Sequence, residues 1–218
     1  MMVIVGILLI LLSYWIGCFS TARMLARNFH SLNINKVGTG LADTENIFHN
    51  VSRSLGILSG TLDCVKSFAW LYLLRLILIA MDRMAIPPDL SPLYSDNLLL
   101  LYAVAMLIGH CLPLTHHLRG GRGIFTYFGI MLFFAPVPAL ITGLVSFILV
   151  YRYKQVRFAQ YTIVILPVLL NLVLGAIPLT TKLIQPSHAG TLFTTKLIGM
   201  AVLMGILNIL VSKKWGEI

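Results

Sequence analysis

Seven stretches of this chain are apolar enough, and long enough or nearly so, to cross a lipid bilayer, and this property excludes most folds at once. They run from Val3 to Phe19, Leu55 to Ala80, Asn97 to Cys111, Gly123 to Ala135, Val137 to Tyr151, Tyr161 to Leu179 and Leu192 to Val211. A backbone in hydrocarbon must satisfy its own hydrogen bonds, so the expected fold is all-α, a polytopic membrane helix bundle of about seven spans. The third, fourth and fifth stretches are short, which sets the count at six or seven, and Pro136 with Pro138 marks a tight turn between two of them. With 58% apolar and 11% charged residues, neither a soluble domain nor a disordered chain fits. No soluble domain or internal repeat is detectable, so residues 1–218 are read as a single membrane-embedded domain. Met1 to Cys18 has no basic residue ahead of it and reads as a retained span rather than a cleaved signal peptide. Cys18, Cys64 and Cys111 are odd in number and lie in or beside apolar runs, which makes them small buried hydrophobes.

The formal net charge of +9 first reports topology in such a chain and does not imply nucleic acid. In a seven-span arrangement the loops after spans one, three and five and the C-terminus hold Arg23, Arg27, Lys36, Arg53, Arg119, Arg122, Arg152, Lys154, Arg157, Lys213 and Lys214. The other side holds only Arg83 and Lys182. The positive-inside rule then puts the N-terminus outside and the C-terminus in the cytoplasm. Of the cytoplasmic loops, Ser20 to Ser54 is long and Gly109 to Gly123 is rich in glycine and basic residues, so function is expected there.

Arg119-Gly120-Gly121-Arg122-Gly123 stands directly before a span. Glycine admits an oxyanion close to the backbone, a helix N-terminus adds partial positive charge and arginine grips phosphate bidentately. A cytoplasmic flank with a flexible turn has the same composition. His110, His116 and His117 lie just ahead, and without an acidic residue in the same segment they read as structural or phosphate-contacting groups rather than metal ligands. Asp63 and Lys66 share one face of the second span, either as a functional pair or as an ion pair that holds helices together. Gly56 and Gly60, four apart on the same span, mark a close packing surface. In the first loop, Gly38-Thr39-Gly40 precedes Asp43, Thr44, Glu45, Asn46 and His49, a polar turn whose carboxylates and histidine carry acid-base chemistry only if they converge.

Together these segments resemble the acyl-phosphate-dependent glycerol-3-phosphate acyltransferases of bacterial membranes. The family's Gly-Ser-Gly-Asn-x-Gly-Ala-Thr-Asn-x-x-Arg is met by Gly38 to His49, and its Asp-x-x-Lys by Asp63 and Lys66. Gly-His-x-x-Pro followed by Lys-Gly-Gly-Lys-Gly-Val-Ala-Thr is met by Gly109, His110, Pro113, Arg119, Gly120, Gly121, Arg122, Gly123, Ile124 and Thr126. The resemblance implies transfer of a fatty acyl group from acyl phosphate to glycerol 3-phosphate, giving lysophosphatidate. It implies Arg122 and Asn46 as catalytic residues, and Gly38, Thr39, Gly40, His110, Arg119, Gly120, Gly121, Gly123, Thr126, Asp63 and Lys66 as substrate-binding ones. Membrane lipids would be the only other partners, with no cofactor or metal, at the inner (plasma) membrane. Leu41, Asp43, Glu45 and His49 stand where the family has Asn, Gly, Thr and Arg, and of a C-terminal His-x-x-Asn-x-x-Arg only Asn208 has a counterpart. These departures keep open a catalytically degenerate paralogue that binds a lipid or an acyltransferase partner.

The division of basic residues predicts that, in a variant without native cysteines, a cysteine at position 89 is labelled from outside the cell and one at 119 only from the cytoplasm. Labelling of both from one side would overturn the arrangement.

Overall fold

The computed structural model describes residues 2–84, 89–176 and 191–214, and the described residues form nine α-helices and no strand. In chain order they are α1 (Met2–Cys18), α2 (Thr21–His30), α3 (Thr44–Asn50), α4 (Arg53–Arg83), α5 (Asp96–Cys111), α6 (Ile124–Phe134), α7 (Pro136–Tyr153), α8 (Val156–Gly175) and α9 (Thr191–Lys214). Each expected span corresponds to one helix. The sixth begins earlier than expected, at Val156 rather than Tyr161, and its expected end at 177–179 lies outside the described residues, as does Lys182.

Six segments, led by α1, α4, α5, α7, α8 and α9, are long and apolar enough to cross a membrane. The fourth expected span is different. At 11 residues α6 is only about 17 Å long, against roughly 30 Å of hydrocarbon, yet most of its residues are buried. It occupies the middle of the bundle, packed on α4, α7 and α8, and Ala135–Pro136 turns the chain directly into α7. Large apolar side chains left uncovered by the protein, such as Leu8 on α1, Leu73 on α4, Phe147 on α7 and Leu169 on α8, supply the lipid-facing surface that a membrane bundle requires.

Apolar contact with lipid gives helices little reason to prefer one another, so close approach must come from small residues. Gly17 of α1 sits where a Cβ would lie 2.2 Å from the Met106 carbonyl oxygen of α5, and Gly109 of α5 likewise meets the Tyr14 carbonyl oxygen at 2.2 Å. Tyr14 locks the same seam: its hydroxyl donates to the Leu112 carbonyl (2.8 Å) and accepts from the Leu114 N–H (3.1 Å). Gly129 brings α6 against α4, with a Cβ position 2.2 Å from the Cys64 carbonyl oxygen. Of the expected glycine pair on α4, Gly56 admits the Phe48 backbone of α3 and Gly60 the Phe125 ring of α6. The Trp70 indole donates to Ser13 Oγ (2.9 Å), tying α4 to α1, and Asn171 donates to Thr194 Oγ1 (3.0 Å), tying α8 to α9.

The long first loop is ordered. Ser20 caps α2 by accepting from the Arg23 N–H, and α2 buries Thr21, Ala22, Leu25 and Ala26 while Arg27 and His30 stay in its last turn. At the opposite end of the bundle Asp82 accepts from the Leu90 N–H (2.7 Å) and the Tyr94 hydroxyl (2.8 Å), a bond that holds the Tyr94 phenol above its usual pKa.

Since the partner of Gly17 is backbone, Gly17→Val must push α1 away from α5, with an expected loss of about 1–3 kcal/mol. Gly199→Val on α9, where nothing lies within 4 Å, should leave the melting temperature unchanged, and equal effects in thermal unfolding would disprove the seam.

Candidate active site

Two separated segments build the site by crossing. Ala42 donates its N–H to the Gly120 carbonyl (3.2 Å), and Gly121 donates to the His110 carbonyl (3.3 Å), so the first loop, the end of α5 and the entry to α6 share one hydrogen-bonded junction. The glycines are needed because a Cβ on Gly120 would meet the Cys111 and His110 carbonyl oxygens at 2.2 and 2.3 Å, and one on Gly121 the Ala42 carbonyl oxygen at 2.6 Å. They admit backbone rather than an oxyanion, and with its N–H engaged Gly121 is not the anion donor expected of it. Gly123 adopts φ +76°, the left-handed region that favours glycine, and starts α6.

The junction delivers Arg122, only 6% exposed, to two carboxylates of the first loop. Its Nη1 lies 2.5 Å from Glu45 Oε2 and 3.5 Å from Asp43 Oδ2. Asp43 also caps α3, accepting from the Asn46 N–H (2.9 Å), so its position is set by the helix it starts. Gln160 of α8 donates to the same Glu45 oxygen. His110 and Asp63 stand beside this group, both buried, with His110 Nδ1 3.8 Å from Asp63 Oδ1. Asp43 and Glu45 therefore do converge with a histidine, although His49, the histidine of their own loop, stands on the cavity wall against Phe48.

From this polar end a cavity of about 610 Å³ opens between α3, α4, α6, α7 and α8. Phe125, Phe128, Phe147, Val150 and Ile163 make most of its wall apolar, and Arg53 and Lys154 add two cations. Three basic residues (Arg53, Arg122, Lys154) thus face three acidic ones (Asp43, Glu45, Asp63), so the cavity carries no formal excess of positive charge. A polar end joined to an apolar groove of this size suits an amphiphile with one long chain.

Of the expected site residues, Arg122, His110, Gly123 and Asp63 line the cavity. The others are placed differently. Asn46 is fully buried beneath the first loop; its amide nitrogen donates to the carbonyls of Leu41 (2.8 Å) and Val37 (2.9 Å), and its oxygen accepts from Thr39 N–H (3.3 Å) and Asn50 (3.0 Å). In this placement its side chain holds the loop. Gly38 and Gly40 take φ +54° and +73° in the turn that Asn46 holds, and Thr39 Oγ1 accepts from the Leu41 N–H, so all three shape the loop outside the cavity. Lys66 forms an ion pair with Asp63 within α4 (3.3 Å) and donates to the Phe19 carbonyl (2.8 Å), a bond that ties α4 to the chain just after α1. Arg119 is exposed and offers its carbonyl to Arg23; Gly120 belongs to the junction; Thr126 is buried within α6, off the cavity wall. Gln160 falls in the expected loop before the sixth span, so its sequence context carries no sign of a place in the site; the helix begins at Val156.

Long apolar helices around a cavity with charged side chains at one end define an integral membrane protein with an internal site. Residues 7–214 match the family model described as glycerol-3-phosphate acyltransferase, and the chain belongs to that family. It is 28% identical over 156 residues to a glycerol-3-phosphate acyltransferase of Mycoplasma mobile, an alignment covering 72% of this chain and 61% of that protein. One from Staphylococcus aureus strain Newman is 27% identical, with 77% and 80% covered. The fold is shared with PlsY (YgiH), an integral membrane glycerol 3-phosphate acyltransferase, in its glycerol 3-phosphate form: the TM-score is 0.68 at 22% identity, covering 96% of this chain and 88% of that one.

Asn46→Asp keeps the size of the side chain but removes the donors that reach Val37 and Leu41, leaving carbonyls facing a carboxylate. We expect about 2–3 kcal/mol of destabilisation in thermal unfolding. Lost activity at an unchanged melting temperature would instead make Asn46 a reacting group.

Proposed function

We propose that this protein is a membrane acyltransferase that moves a fatty acyl group from acyl phosphate to glycerol 3-phosphate, forming lysophosphatidate at the plasma membrane. The observation that carries the reading is the cavity, whose apolar groove suits the acyl chain and whose buried Arg122 stands where a phosphate would lie. Family membership supports the same chemistry. In the transfer, the acceptor hydroxyl oxygen bonds to the acyl carbon, the bond from that carbon to the phosphate oxygen breaks, and the hydroxyl proton leaves with the released phosphate. Acyl phosphate already carries a good leaving group, so positioning and charge stabilisation by Arg122 supply most of the acceleration.

The balance of charges favours a second reading. With Asp43 and Glu45 on Arg122, a dianion at that guanidinium must displace or share two carboxylates, which suits a lipid-binding paralogue that does not turn over. Purified protein in lipid, supplied with acyl phosphate and glycerol 3-phosphate and assayed for lysophosphatidate, decides between them.

For the enzyme, Arg122→Ala should weaken glycerol 3-phosphate or acyl phosphate binding by about 1.5–3 kcal/mol, the range of a charged hydrogen bond. Glu45→Gln keeps the shape and removes one competing charge, so it should strengthen binding of glycerol 3-phosphate by roughly 1–3 kcal/mol after screening. No change in either variant would show that Arg122 serves only its two carboxylates.

A further inference from the structure

A second pocket, of about 770 Å³, lies where α1 ends and α2 begins, and shares no residue with the cavity at Arg122. Its polar wall comes from Arg23, Arg27, Asn35, Thr115 and His116, and no acidic residue lines it. Arg23 is the centre. Its Nη2 donates to the Arg119 carbonyl and to Asn35 Oδ1 (3.5 Å), which holds the guanidinium plane in place, while Nε and Nη1 are buried with no hydrogen-bond partner. Among the described residues Arg23 makes no ion pair. An unpaired charge with unsatisfied buried donors is costly, and an anion in the pocket would supply the acceptor and the counter-charge that Arg23 lacks.

We propose that this pocket binds a phosphate-bearing anion on Arg23, at a site separate from the acyl-transfer cavity. Arg27, exposed one helical turn further along α2, adds a second cation, and the Thr115 and His116 side chains supply polar contacts from the loop after α5. Trp15 and Phe19, both more than half exposed, border the pocket on its apolar side, the arrangement expected around a headgroup at a membrane surface. A phosphate monoester is the shared chemistry, whether carried by a lipid or free in solution. Because Arg23 also holds the Arg119 carbonyl, an occupied pocket would brace the loop that carries Arg122. The site stands whether or not the protein turns over acyl phosphate.

Equilibrium dialysis of the full-length protein in neutral detergent tests this with two probes, radiolabelled inorganic phosphate and a short-chain phosphatidate below its micelle concentration. Arg23→Gln should reduce affinity at least tenfold for whichever probe binds. Asn35→Asp, which gives Arg23 an internal counter-ion without altering shape, should do the same while leaving the melting temperature equal or higher, so loss of fold cannot imitate loss of the site. Arg122→Gln can remove only probe bound in the acyl-transfer cavity, so the component of binding lost in Arg23→Gln should persist in it. Binding of phosphate itself identifies a soluble anion, and binding of phosphatidate alone identifies a lipid headgroup. The proposal is overturned if neither probe binds, if Arg23→Gln and Asn35→Asp bind like wild type, or if Arg122→Gln alone abolishes binding.

Discussion

The site depends on one backbone crossing. Ala42 and Gly120 are 78 positions apart in sequence, yet they are joined by a hydrogen bond, and Gly121 is bonded in turn to the last turn of α5. No side chain larger than hydrogen fits at Gly120 or Gly121, because carbonyl oxygens occupy the space a Cβ would take. The crossing fixes the start of α6 relative to the start of α3 and so brings Arg122 to Asp43 and Glu45. Backbone contacts of this kind have little freedom to yield, which lets a loop hold a charged group with the precision usually found on helices and strands.

Burial makes the resulting charge cluster consequential. A guanidinium held away from water needs compensation, and two carboxylates supply it, one of them also accepting from the Gln160 amide. The same compensation sets the terms on which a phosphate ligand can enter, since the ligand must replace or share partners that Arg122 already has. Arg23 presents the opposite case. It is anchored through Nη2 with no carboxylate in its pocket, and its remaining nitrogens are left without partners. Two arginines near the same loop are therefore prepared for anions to different degrees, by whether acidic side chains lie within reach.

The helices around the loops meet by shape. Gly17 and Gly109 interlock α1 with α5, and Gly129 seats α6 on α4, each removing a side chain where a neighbouring carbonyl passes. Lys66 joins the Asp63 carboxylate to the chain just after α1, which couples the helix that carries Asp63 to the seam beside it. With α6 buried in the centre, the cavity gains a wall of Phe125 and Phe128 that is continuous with the apolar faces of α7 and α8.

The sequence by itself determined the class of fold, because apolar length and helical self-satisfaction of the backbone are local properties. Every expected span corresponds to a helix, and the proline pair does mark the α6–α7 turn. It also marked Arg122, His110 and Asp63, whose residue types suit a polar group at the end of an apolar groove. The placement of Asn46, Gly38, Thr39, Gly40, Lys66 and Arg119 was decided only by the tertiary structure. A buried amide surrounded by carbonyls and an amide offered to substrate have the same sequence, and the difference lies in which backbone groups need a partner nearby. The early start of α8, and with it the place of Gln160, were hidden for a related reason. Residues 156–160 are too polar on average to signal a span, and it is the carboxylate of Glu45, carried in from a loop more than a hundred residues earlier, that gives Gln160 its partner.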